Sequence, residues 1–126
     1  MTEFTIRLAN RPGRLAAFAG QLASAGVNVE ALAAFAFDSE GIVRIIVDDP
    51  LTTRRVLAES SIPYEEREVV ITTLPNQTGA LADMAQALAE AEINIDAMYL
   101  LNSTSSGLEF AVVVNQVEPA RARLGG

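Results

Sequence analysis

The chain has 126 residues, half of them apolar, and nine basic against 16 acidic residues give a formal net charge of −7. That length suits one ordinary domain or two very small ones with a sizeable core, and the negative charge argues against nucleic acid or an anionic membrane surface as a partner. Cysteine and histidine are absent and every basic residue is Arg, which removes thiol chemistry, the commonest general base and metal ligand, and lysine chemistry.

No apolar run approaches the roughly 20 residues of a membrane-spanning helix. The opening MTEFTIRLAN lacks the basic start and apolar block of a secretory signal, so a cytoplasmic location is expected. Phe4, Ile6 and Leu8 alternate with Thr5 and Arg7, which predicts a half-buried strand. Leu15, Phe18, Ala19 and Leu22 recur at helical spacing, and Gly26 closes that helix. A strand is expected from Val27 to Phe37, a hairpin turn at DSEG, and a further strand from Ile42 to Asp48. Pro50 starts a second helix with Val56 and Leu57 as its apolar contacts, and Pro63 leads into a final strand. In that strand Glu65, Glu66 and Glu68 form a charged, exposed edge. Without His or suitably spaced Asp they make no metal site, and neither metal nor cofactor is expected.

The remainder repeats this pattern. Shifting the sequence by 66 positions aligns 8–31 with 74–97, and eleven of the 24 columns are identical, including Asn10/Asn76, Gly13/Gly79 and Asn28/Asn94. Gly41 falls on Gly107, and Leu81, Met84, Ala85 and Leu88 repeat the helical spacing. Glu92 stands where copy one has the helix-closing Gly26. The order is β-α-β-β-α-β, a split βαβ unit with an antiparallel sheet and both helices on one face. The fold class expected is therefore α+β, two tandem ferredoxin-like units at 1–67 and 68–126. The second unit stops at RARLGG, without its last strand and with a short second helix. Residues 64–74 are expected to run as one long strand. The third strands are apolar on both faces, which predicts partial burial of the second sheet face, between the copies or in a homodimer.

LANRPGRL followed by LASAGVNVEAL, and more loosely LPNQTGAL followed by LAEAEINIDAM, resemble the ACT domain, a small ligand-sensing module of amino-acid metabolism. The closest resemblance is to stand-alone proteins made of two ACT domains. It implies βαββαβ units that pair and hold an amino acid at their interface, through the turn after the first strand and the start of the second. Carried over, the ligand-binding positions are Asn10, Arg11, Pro12, Gly13, Arg14, Leu15, Asn28 and Val29 in copy one. In copy two they are Asn76, Gln77, Thr78, Gly79, Ala80, Leu81, Asn94 and Ile95.

The chemistry of these residues suits that role. A helix N-terminus offers unpaired N–H groups and a partial positive charge, and Pro12 fits a first helical turn. Gly13 and Gly79 let a carboxylate approach the backbone, while Asn10 and Asn28 can both donate and accept. The alternative is structural: Asn10 as a helix cap, Gly13 relieving crowding, Asn28 tying down a turn. Arg11 and Arg14 either clamp a carboxylate or merely solvate a helix start, and copy two has Gln77 and Ala80 there. An apolar pocket around Leu15, Val29 and Phe37 would suit an aliphatic ligand.

The function expected is a non-catalytic regulatory or sensor protein that binds a small-molecule amino acid, works as a homodimer and signals to a protein partner. Two alternatives remain: an adaptor that binds no small ligand, and an acylphosphatase-like enzyme, which shares the strand order and needs a loop Arg and a water-positioning Asn.

Overall fold

The computed structural model describes residues 1–125. Contacts divide the chain into a first unit, Thr2–Arg67, and a second, Glu68–Gly126 together with Met1. No helix among the described residues is long and apolar enough to cross a membrane.

The first unit follows the expected order: β1 (Thr2–Ala9), α1 (Arg14–Ser24), β2 (Val29–Phe37), β3 (Glu40–Val47), α2 (Pro50–Glu59) and β4 (Tyr64–Glu68). Its sheet has the order β2-β3-β1-β4, with β3 antiparallel to both neighbours. Phe4, Ile6 and Leu8 of β1 and Val43, Ile45 and Val47 of β3 face the helices. They bury against Phe18 and Leu22 of α1 and Val56 and Leu57 of α2, so both helices lie on one face. On the other face Glu3 and Ile46 are also fully buried, and Glu3 takes two hydrogen bonds from Arg44, at 3.0 and 3.1 Å. Asp49 caps α2 by accepting from the Thr52 N–H at 3.0 Å and the Thr52 hydroxyl at 2.6 Å.

The second unit contains β5 (Val70–Leu74), α3 (Ala80–Glu90), β6 (Ile95–Thr104), β7 (Gly107–Val114) and the eight-residue α4 (Val117–Leu124). Its sheet is three-stranded, β5-β7-β6, so among the described residues β5 is an edge, where β1 of the first sheet is flanked by β4. Met84, Leu88 and Ala120 pack on Val70, Val112 and Val114. Ala111 and Val113, on the opposite face, are excluded from solvent as well.

Four details differ from the sequence reading. Residues 64–74 form two strands rather than one, broken at Val69, whose N–H turns to donate to the Met1 carbonyl at 3.0 Å. The strand expected from Val27 begins at Val29, because Val27 still closes the helix by donating to the Leu22 carbonyl at 3.0 Å. Leu15, Ala19 and Leu81 face solvent, and the buried faces of α1 and α3 rest on Phe18 and Leu22 and on Met84 and Leu88.

The fourth concerns register. Both units carry a bulge after the first residue of the second strand, at Glu30 and Asp96, and β6 carries another at Leu101 that β2 lacks. One extra residue advances the copies from a shift of 66 to 67. Gly41, opposite Leu8, therefore corresponds to Leu108, opposite Leu74, and Gly107 corresponds to Glu40. Gly107 is needed for its own reason: its φ is +135° and a Cβ there would lie 2.4 Å from the Leu74 carbonyl oxygen.

The helix ends supply a stability test. Gly26 has φ +77° and Glu92 has φ +58° at the equivalent position, a left-handed conformation that a side chain disfavours. Glu92→Gly should stabilise the protein by about 1 kcal/mol in urea unfolding, and Gly107→Ala should destabilise it by more than that gain.

The Arg54 guanidinium, whose Nη2 donates to Glu66 at 2.7 Å, holds the Glu66 carboxyl below its ordinary value of 4.5. A carboxyl depressed on folding adds stability above its unfolded value, and that contribution disappears as pH falls through the folded value. Glu66→Gln should therefore lower stability at neutral pH and flatten its decline below about pH 4.5, as read by thermal unfolding across that range.

Candidate functional site

The two Asn-x-x-Gly turns have one backbone design. Arg11 N–H donates to the Ala9 carbonyl at 2.9 Å, and Gln77 N–H donates to the Pro75 carbonyl at 2.9 Å. Each chain then enters its helix through a left-handed glycine, Gly13 at φ +87° and Gly79 at φ +91°, as N-cap. A Cβ on either glycine would meet nothing within 4 Å, so positive φ, not crowding, requires glycine there. Pro12 and Thr78 precede the N-cap, outside the helix. Neither helix has a side-chain cap, so Asn10 and Asn76 do not cap. The first helical amides turn back into the loop, Arg14 N–H to the Arg11 carbonyl at 3.4 Å and Ala80 N–H to the Gln77 carbonyl at 3.3 Å, while the next two amides, at 15–16 and 81–82, find no partner among the described residues.

In the first unit this turn overhangs a cavity of about 230 Å³. The sequence-predicted residues Asn10, Arg11, Arg14 and Leu15 line it, with Leu8 and Ala9 of β1, 34–36 of β2 and 41–43 of β3. Apart from Asn10 and the two arginines, every side chain there is apolar. Arg7, Arg44, Arg54, Arg55 and Arg121 each pair with a carboxylate. Arg11 and Arg14 pair with none among the described residues, and no acidic residue lines the cavity. The Arg14 Nε is buried without a hydrogen-bond partner. Arg14 also lines a smaller neighbouring cavity of about 100 Å³.

Pro12, Gly13, Asn28 and Val29 are not part of this lining. Asn28 lies at the far end of the sheet: its N–H donates to Asp48 Oδ1 at 2.9 Å, and Val29 pairs with Val47, which also faces Thr2. Asn10 lies beyond Ala9, opposite Glu40. Seven residue steps of strand, roughly 24 Å, separate the two ends, so Asn10 and Asn28 of one unit cannot hold one small ligand together. The pocket expected around Leu15, Val29 and Phe37 is instead built on Leu15 and Phe35.

In the second unit Gln77 and Ala80 line a different cavity, of about 300 Å³, with Asp83 and Arg123, beside the β5 edge. Positions equivalent to the first cavity are larger: Leu100 for Ala34, Leu108 for Gly41 and Phe110 for Val43. Asn76, Thr78, Gly79 and Leu81 are exposed. Asn94 repeats Asn28, with its N–H on Asn115 Oδ1 at 2.9 Å, while its Nδ2 donates to Asp96 at 2.8 Å, and Ile95 begins β6. Sequence reading missed Ala34, Phe35 and Gly41. The signal for them was the run of small residues in ALAAFAF and a glycine opposite Leu8, visible once strand register is known.

The sequence model of the ACT domain pair family matches residues 38–123. The chain belongs to the ACT domain pair family. ACT domains are regulatory domains that bind amino acids. Among curated proteins no sequence matches this chain. A solved protein from Bacteroides thetaiotaomicron is similar with TM-score 0.87 and 26% identity, over 98% of this chain and 85% of that one. The regulatory subunit of aspartate kinase from Thermus thermophilus, in a ligand-free form, shares the fold with TM-score 0.71 and 20% identity, over 98% and 87% of the two chains. The corresponding subunit from Thermus flavus does so at TM-score 0.67 and 19% identity, over 98% and 88%.

Within this ACT domain pair, Arg14 carries a cost in the free protein. A cation in the first turn opposes the helix dipole, and a buried donor without a partner costs about 1–3 kcal/mol. Arg14→Met, which keeps the apolar stem, should therefore raise the ligand-free protein's stability by about 1 kcal/mol in thermal or urea unfolding.

Proposed function

We propose that this ACT domain pair is a non-catalytic regulatory protein that binds a small carboxylate ligand of the amino-acid class in the first unit, at the turn 10–15. The observation that carries this reading is the apolar cavity lined by two arginines that no carboxylate among the described residues neutralises. A ligand carboxylate there would meet guanidinium donors and the amides of Leu15 and Ala16 together. The second unit has neither arginine and carries larger side chains at the equivalent positions, which supports one ligand per chain. Family membership and the shared fold of a regulatory subunit favour this reading over the acylphosphatase-like one.

The homodimer belongs to the same proposal. β2 is the edge of its sheet, and Leu32, Phe35 and Phe37 are at least half exposed on it, with no charge from 31 to 37. An uncharged apolar edge of this kind is a template for strand pairing. Antiparallel pairing of β2 with its copy would bring Asn28 of the partner subunit to the turn that holds Asn10, reuniting the two asparagines that one unit keeps apart. This is an isologous contact, as a two-fold dimer requires.

Titration calorimetry should give one site per chain, and Gly41→Leu should abolish binding while the protein stays folded by circular dichroism. Two equivalent sites, or binding that survives Gly41→Leu, would contradict the assignment. In sedimentation equilibrium Leu32→Lys should turn a dimer into a monomer.

A further inference from the structure

The first unit leaves opposite charges unmatched at opposite ends of one strand. At the hairpin end of β2 stand Arg11 and Arg14, which pair with no carboxylate among the described residues. At the other end stands Glu30, exposed and without a hydrogen bond or ion pair among the described residues. It is the extra residue of the bulge between Val29 and Ala31, opposite no residue of β3. In the second unit the acid at the equivalent bulge is held within its own unit, since Asp96 accepts from Asn94 Nδ2 at 2.8 Å. Asn28 makes no such bond to Glu30 among the described residues, so Glu30 stays uncommitted at the open edge of the sheet.

The β2 pairing proposed above joins these two ends, and the present step rests on that reading. In an antiparallel pair of identical strands the start of one lies beside the end of the other. With Asn28 of the partner subunit at the turn that holds Asn10, Glu30 of the partner subunit lies two residues, roughly 7 Å, further along the strand. That brings it level with 35–36, which line the cavity. We infer that Glu30 of the partner subunit completes the site and accepts the ammonium group of an amino-acid ligand. The ligand carboxylate lies on Arg11, Arg14 and the amides of Leu15 and Ala16. A zwitterion needs both signs of charge, and the chain supplies them from two subunits. The outward carbonyls of β2 are taken up by the ladder of such a pair, and Asn28 of the partner subunit is neutral. Glu30 therefore sets specificity: it favours an amino acid and repels a plain carboxylate of the same shape.

The test titrates the full chain calorimetrically at neutral pH with two matched pairs, leucine with 4-methylpentanoate and valine with 3-methylbutanoate. Their short branched chains suit an apolar cavity of about 230 Å³. At least one amino acid should bind about tenfold or more tightly than its deaminated counterpart. Glu30→Gln should erase that difference by weakening the amino acid alone. Asp38→Asn, at the hairpin turn and outside the cavity lining, should preserve it. Mixing Glu30→Gln chains with Arg14→Ala chains should restore tight binding, because each mixed dimer reunites an intact Glu30 with an intact Arg14. Three results would each overturn the inference while leaving the carboxylate site standing: an amino acid that binds no better than its counterpart, a Glu30→Gln variant that keeps the difference or weakens both members of a pair equally, or mixing that restores nothing. If no member of either pair binds at millimolar concentration, the inference and the carboxylate site both fall.

Discussion

Both halves of the molecule depend on one backbone constraint, a strand that must turn into a helix through a left-handed residue. Gly13 and Gly79 have nearly the same φ and ψ, and neither helix start receives a side-chain cap. A capped helix would have satisfied its first amides internally. These helices turn only their first amide back to the loop and leave the next two without a partner among the described residues, at the sheet end where the hairpin turn also lies, with Asn10 N–H held by the Ser39 carbonyl at 3.0 Å. The turn is therefore a fold requirement first. In the proposed reading it becomes a site where the surrounding side chains leave room and supply charge.

What surrounds the turn separates the two copies. In the first, small residues on β2 and β3 leave space beneath the turn, and two arginines stand over it with no carboxylate partner among the described residues, whereas Arg7, Arg44, Arg54, Arg55 and Arg121 each have one. In the second, the bulge at Leu101 shifts the hairpin by one residue, so that Leu108 replaces Gly41 opposite the end of β5. Duplication preserved the turn, and one inserted residue changed its floor.

The periodicity of Phe4, Ile6 and Leu8, the tandem shift of 66 and the element order of each unit were legible in the sequence because they depend on local pattern and on count. The turn residues were legible because positive φ selects glycine twice. Three things were not. Leu15 looked like a core residue, since helical spacing does not distinguish a buried face from a cavity wall. That Asn10 and Asn28 of one unit stand at opposite ends of the sheet follows from strand length, which only pairing register reveals. The alignment of Gly41 with Gly107 failed because a β-bulge changes register without changing hydrophobic pattern.

Hydrogen–deuterium exchange with and without a saturating carboxylate ligand tests most directly which of the two turns is the site. The account predicts slowed exchange at the first-turn amides of α1 and in the strand segments 34–36 and 41–43, with 76–82 unchanged. Protection centred on 76–82, or equal protection at both turns, would contradict it.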